Sequence, residues 1–285
     1  MWAILVGAML TPIDSDFMKH RSNETKQEIS RVLSIDDESE PQNVLKPFLQ
    51  EWQESHQQHI ENLIPQIKEP IILWDLKQPN VAITIDDGYG KESLEYMLDL
   101  FEKNDVKATF FVIWECLKLY PALWQRAVEQ WHEICNHTQT HSKYFKTWNE
   151  SERFEKELLW WERIVKDVLW EEYFLKMKKN FPFFRFPWMH WIRVKAYLDI
   201  LKKHGYIPIW WRHTKNPDSW NINNGDIFLW HFKNADTLNV RKNLEMILSE
   251  WKHPKTVSDI ITSENYTEPI WWHNVYKKKN GVKWQ

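Results

Sequence analysis

Val81-Ala82-Ile83-Thr84-Ile85-Asp86-Asp87-Gly88 is the stretch on which the reading of this chain turns. An apolar, β-branched run predicts a buried strand. Two carboxylates and a glycine end it. In sheets built from strand–helix–strand units, functional groups gather at the C-terminal strand ends, where Asp86 and Asp87 fall. The alternation continues downstream. Glu92–Asn104 reads as a helix with Leu94, Met97, Leu98, Leu100 and Phe101 on its buried face, and Ala108–Ile113 as a second strand. Pro121–Gln130 is a helix with proline in its first turn, and His132–Cys135 leads into Asn136-His137. Glu152–Leu169, Val194–His204 and Asn239–Ser249 read as helices; Phe183–Phe186, Ile207–Trp210 and Asp226–His231 read as strands; Thr256–Ile261 closes the domain. This spacing predicts an α/β fold with a parallel sheet or barrel.

The N-terminal flank differs. Met1–Leu10 is apolar but too short to span a bilayer. It has the character of the apolar part of a signal peptide without the basic segment, and a truncated start or a hydrophobic cap fits the same letters. Export, or association with a membrane surface or cell wall, is the expectation it carries. Residues 13–45 are polar, with Asp36–Pro41 reading as linker. Residues 46–68 predict an amphipathic helix broken near Pro65. Three segments follow: 1–78 as apolar start, linker and helical segment, 79–263 as the main domain, and 264–285 as a basic tail.

A chain of 285 residues can bury one full core, and a monomer is expected. The net charge of −3, with no basic patch, excludes nucleic acid as a partner. Cys116 and Cys135 cannot build a disulfide scaffold or a cysteine metal site; one bridge or two half-buried thiols remain open.

His137-x-x-x-His141 adds two imidazoles to the two carboxylates. One carboxylate with two imidazoles suits a divalent metal, and the other carboxylate is left for proton transfer. Each motif is weak alone: with 12 histidines such a spacing arises readily by chance, and Asp-Asp-Gly is often a turn.

The flanking residues are specific. Thr84-Ile85-Asp86-Asp87-Gly88, then Ala108-Thr109-Phe110-Phe111-Val112, then His132-Glu133-Ile134 with Asn136-His137-Thr138 and His141 resemble the polysaccharide deacetylase family. This is the NodB homology domain, or carbohydrate esterase family 4. Phe184-Arg185-Phe186-Pro187, Asp218-Ser219-Trp220, Ile227–His231 and Thr256–Ile261 follow in the family's order, so the resemblance covers residues 79–263. It implies a distorted (β/α) barrel of the polysaccharide deacetylase type. It also implies that Asp87, His137 and His141 bind one divalent metal, zinc or cobalt. Asp86 would be the general base, held by Arg185, and His231 the general acid. Leu229 and Trp220 would line the pocket for the acetyl methyl. The implied reaction is metal-dependent hydrolysis of N-acetyl, less often O-acetyl, groups on a cell-wall or extracellular glycan, outside the cytoplasm.

These residue types suit that chemistry. A metal polarises a poorly electrophilic amide carbonyl and lowers the pKa of bound water toward ~7. A carboxylate then accepts the proton as the water attacks. The leaving amine needs a proton, which a histidine can give near neutral pH. Adjacent residues on an extended backbone point to opposite sides, so Asp86 and Asp87 can take different roles. A catalytically silent carbohydrate-binding module on the same fold, and a metal phosphoesterase, are the competing readings. Arg185 also fits a surface ion pair, Trp220 core packing and Asp218 a turn cap. His132 and His213 read as surface or core residues, and His190 receives no role.

One imbalance stands apart: 20 tryptophans against 6 glycines, where glycine ordinarily makes up ~7% of a chain. The family usually carries glycine at the positions of Trp114 and Trp131, and often at Trp188. Trp251 falls where a helix should end in a glycine. The pairs Trp160-Trp161, Trp210-Trp211 and Trp271-Trp272 are equally unusual. Some bacteria read the codon UGA as glycine, whereas other recoded systems read it as tryptophan. The pattern therefore predicts that many of these tryptophans are glycines mistranslated, with Trp220 genuine. A tryptophan-rich surface that stacks on sugar rings is the alternative.

Overall fold

The computed structural model describes residue 54 and residues 57–76, 78–141, 150–187, 194–212, 222–232, 234–261 and 266–271. Met1–Leu10, the 13–45 linker, Trp188, His190, His213, Asp218 and Trp220 lie outside the described residues.

Strand β2, Asn80–Asp87, is buried along almost its whole length. Such a strand is covered on both faces, which is why its sequence is a near-continuous apolar run and not an alternation. It pairs in parallel with β3 (Thr109–Val112), β7 (Ile227–His231) and β8 (His253–Lys255). With β4 (Glu133–Asn136), β5 (Phe183–Phe184) and β6 (Ile207–Pro208), these strands form one seven-stranded parallel sheet in the order β6-β5-β4-β3-β2-β7, with β8 against β2. The sheet is open and curled, the distorted barrel that the sequence implied.

Helices cover it. The first, α1 (Lys91–Lys103), buries Leu94, Met97, Leu98 and Phe101, a stripe at helical spacing. It is followed by α2 (Trp114–Leu119), a short helix that the sequence reading did not anticipate, and α3 (Pro121–Glu129). Helix α4, Ser151–Asn180, consists of two helical runs that meet at a kink, and the first ends at Leu169 as the sequence predicts. Its regular course is interrupted at Trp170, with φ 68° and ψ 154°. Helices α5 (Lys195–Lys203), α6 (Asn234–Ser249) and α7 (Val257–Ile261) complete the set. Among the described residues, no helix is long and apolar enough to cross a membrane.

The flanks also contribute. β1 (Ile71–Leu76) pairs antiparallel with β9 (Tyr266–Trp271), so one strand comes from each side of the 79–263 stretch. Upstream, helical backbone reaches residue 63 and passes into a single 3-10 turn, Ile64–Gln66, at Pro65. Ile60, Leu63 and Ile67 are buried there. Cys116 and Cys135 are both buried free thiols. His132 is a core residue: its Nδ1 accepts the Ala108 N–H at 3.0 Å, and burial drives its pKa down to about 3, so it is neutral.

Candidate active site

The C-terminal end of β2 carries the first two groups. Gly88 follows because nothing larger fits. Its φ is 107°, and a Cβ there would stand 2.9 Å from Cys116 Cβ and 3.0 Å from Trp124 Cζ2. Asp87 itself has φ 80°, in the left-handed region. The expectation that extended backbone would separate the two carboxylates is therefore corrected. Asp86 and Asp87 both approach one imidazole. His137 Nε2 lies 3.8 Å from Asp86 Oδ2 and 3.6 Å from Asp87 Oδ1.

His137 follows β4 directly. Its Nδ1–H donates to the Arg185 carbonyl at 2.8 Å, which leaves Nε2 facing the two aspartates. His141 Nε2 lies 3.4 Å from Asp87 Oδ1, and the two imidazole centroids are 5.0 Å apart. Ligand atoms of Asp87, His137 and His141 all lie within 4.8 Å of one another. Asp87 Oδ1 is buried and accepts no hydrogen bond. A buried carboxylate oxygen without a donor, facing two imidazole nitrogens, fits a divalent cation.

The charges agree. Burial alone would raise the Asp87 pKa, but the adjacent His137, then the charges of His141 and His231, outweigh it and hold Asp87 at about 2. Burial opposes protonation of His137, yet Asp86 and Asp87 raise its pKa above the ordinary histidine value. His141 is pushed down to about 4 by burial and by the neighbouring His137.

Arg185 is completely buried and is not a surface ion-pair residue. Its Nη1 donates to Asp86 Oδ1 at 2.8 Å and to Thr84 Oγ1 at 2.6 Å. Nε donates to the Ile209 carbonyl at 3.2 Å and Nη2 to the Trp210 carbonyl at 3.1 Å. The guanidinium lies 4.0 Å from the Phe111 ring centroid. Asp86 is thus fixed from one side by a rigid fork, and its Oδ2 is turned toward His137. His231 ends β7 directly opposite Asp86 in the parallel register, and Leu229, buried, stands opposite Thr84. Residues two apart on a strand share a face, so Leu229 and His231 project to the same side.

Sequence reasoning missed Glu157. It is a buried acid on α4, in a stripe with Phe154, Leu158 and Trp161. An acidic residue inside an apolar helical stripe was the available signal. Its carboxylate takes three hydrogen bonds from Gln139 and Thr140. At the site's edge, exposed Tyr89 donates its hydroxyl to Glu115 at 3.2 Å.

Comparison with known proteins gives a consistent result. The family model described as "Polysaccharide deacetylase" matches residues 75–209. A peptidoglycan-N-acetylglucosamine deacetylase from Bacillus cereus is 28% identical over 213 residues, 67% of this chain and 92% of that protein. An uncharacterized Bacillus subtilis protein, YlxY, is 36% identical over 100 residues, but the match spans only 30% of its length. Among solved structures, a family 4 carbohydrate esterase from Bacillus anthracis superposes with a TM-score of 0.57 at 23% identity, covering 72% of this chain and 92% of that one. The curled parallel sheet, the Asp–His–His cluster at its strand ends and these matches together support membership of the polysaccharide deacetylase family, of the NodB or carbohydrate esterase family 4 type.

Proposed function

We propose that this chain is a metal-dependent deacetylase that hydrolyses N-acetyl groups, less often O-acetyl groups, of a cell-wall or extracellular glycan. The observation that carries the reading is the meeting of three ligand atoms within 4.8 Å, beside a carboxylate held by a buried arginine. Asp87, His137 and His141 would hold one divalent cation, zinc or cobalt. When bound, such an ion polarises an acetyl carbonyl and acidifies a water.

The chain's own groups supply the rest. Arg185, itself bonded to Thr84, fixes the orientation of Asp86, whose other oxygen would take a proton during attack. The Arg185 carbonyl keeps the proton of the neutral His137 ring on Nδ1, so Nε2 is the nitrogen offered to a cation. His231, across the strand pair from Asp86, would protonate the departing amine. Leu229 offers an apolar wall for the acetyl methyl, a role shared by Trp220 in this proposal. An extracytoplasmic location and action as a monomer on an acetylated polysaccharide or oligosaccharide complete it.

The test is acetate release from N-acetylated chitooligosaccharide. Release is expected with zinc or cobalt and should stop when a chelator is added and resume when metal is returned. No metal-dependent release from any acetylated glycan would point instead to a silent carbohydrate-binding module on the same fold.

A further inference from the structure

We infer that Glu157 is a positioning residue that sets the third ligand of the metal site, an inference that rests on the metal reading above. The ligands are not anchored alike. Asp87 ends a central strand, and His137 follows another and is held by the Arg185 carbonyl. His141 instead lies on the non-helical stretch 138–141, with φ 71° at Thr138 and 50° at His141. Every backbone N–H of this loop ends on a side chain. Thr138 donates to Asn136 Oδ1 at 2.8 Å and His141 to Thr138 Oγ1 at 3.2 Å. The two between them, Gln139 at 3.1 Å and Thr140 at 2.8 Å, both donate to Glu157 Oε2. Thr140 Oγ1 donates to Oε1 at 2.7 Å.

One buried carboxylate therefore closes the loop from α4. Without it, two amide donors lose their acceptor and the left-handed residues lose what holds them there. His141 would then leave its place beside Asp87, while Asp87 and His137 keep theirs.

The experiment measures zinc affinity by competition with a chromophoric chelator, with urea unfolding of each metal-free variant alongside. Glu157→Ala is expected to weaken zinc binding about 10–100-fold, as supporting groups of metal ligands typically do. Glu157→Gln, which keeps one acceptor for the two amides, should stay within about fivefold of wild type. Glu157→Asp keeps the charge but withdraws it by one methylene; it should lose about tenfold and serves where the alanine variant does not fold. Leu98→Ala in the α1 core is the control: it is destabilised, with zinc affinity unchanged. Wild-type affinity in a folded Glu157→Ala or Glu157→Asp variant overturns the inference. Failure of the wild-type chain to bind zinc or cobalt overturns the metal reading itself.

A separate observation carries a second inference. Four helix ends share one hydrogen-bond pair. After α5, Gly205 N–H reaches the Lys202 carbonyl and Tyr206 N–H the Leu201 carbonyl, with φ 67° at Gly205. After α1, Asp105 and Val106 bond to Glu102 and Phe101, with φ 49° at Asp105. After α3, Trp131 and His132 bond to Val128 and Ala127; after α6, Trp251 and Lys252 bond to Leu248 and Ile247. Trp131 has φ 66° and Trp251 φ 55°. This motif needs a left-handed residue, normally glycine and sometimes a small polar one; a bulky side chain is an outlier there. Trp170, with φ 68° and ψ 154°, lies in a region that essentially only glycine occupies. The three indoles are also poorly covered, at 37%, 50% and 84% exposure for Trp131, Trp170 and Trp251. Lys176 over the Trp131 ring does not offset that. Trp114 differs, since it opens α2 in a helical conformation that gives no reason for glycine.

We infer that glycine is the native residue at 131, 170 and 251, encoded by UGA and rendered here as tryptophan. The gene's codons should read UGA at all three; UGG at these positions overturns the inference. The chain carrying Trp131→Gly, Trp170→Gly and Trp251→Gly should fold with an equilibrium constant raised about tenfold per site over the tryptophan chain. A glycine chain no more stable than the tryptophan chain also overturns it.

Discussion

Arg185→Met is expected to cost about 3–5 kcal/mol of folding stability, the usual price of leaving one member of a buried ion pair alone. Natural domains hold only about 5–15 kcal/mol in reserve, so the variant should unfold at a much lower urea concentration. The cause is specific. Asp86 is buried and loses its 2.8 Å partner, while the Thr84 hydroxyl and the carbonyls of Ile209 and Trp210 lose their donor. Arg185→Lys should rescue little, because an ammonium cannot reproduce a planar fork that reaches a carboxylate, a hydroxyl and two carbonyls. Adding Asp86→Asn to Arg185→Met should recover part of the loss, since it removes the stranded charge. The double-mutant cycle should show a clear coupling energy. A loss under about 1 kcal/mol in the single variant would show that the pair does not bear on the fold as argued.

The second large effect concerns the metal. Asp87→Asn keeps the shape of the side chain and removes its charge. Asp87 is held at about 2 by His137, His141 and His231, against its burial, so it is ionised across the neutral range and is the one anionic member of the ligand set. Metal ligands must be deprotonated to bind. A Lewis acid supplies several kcal/mol of transition-state stabilisation, and each ~1.4 kcal/mol is tenfold in rate. Metal-dependent acetate release should therefore fall by about a thousandfold, together with zinc affinity. Folding of the metal-free protein should survive, because Asp87 Oδ1 accepts no hydrogen bond whose loss would be felt. Retained zinc affinity in Asp87→Asn would remove it from the ligand set.

Much of this was readable from the letters, and the reason differs by element. β2, β3 and β4 are covered on both faces, so burial wrote itself into short apolar runs that end at the site residues. Helix α1 exposes one face to water, so its stripe was equally plain. β1 and β9 escaped because their pairing joins residues at opposite ends of the domain, and no local pattern encodes it. The first run of α4 was legible to its end at Leu169; the second escaped because no local pattern says that a helix resumes after the break at Trp170. At the site, family motifs located Asp86, Asp87, His137, His141, Arg185 and His231, and the structure brings Asp86, Asp87, His137, His141 and Arg185 into contact. What they did not convey was support from a distance. Arg185 serves His137 through its backbone carbonyl, which no sequence motif can express. Glu157 acts from a helix that carries no ligand.

The pairing of β1 with β9 has a topological consequence. On either side of the parallel sheet's stretch of chain, the polypeptide runs through two adjacent antiparallel strands, with Ile71 opposite Trp271. A unit wired in this way can be spliced into a surface loop of a host protein. It can equally be circularly permuted, its former ends bridged by a short linker and new ones opened in an exposed loop, without any strand of the parallel sheet being moved.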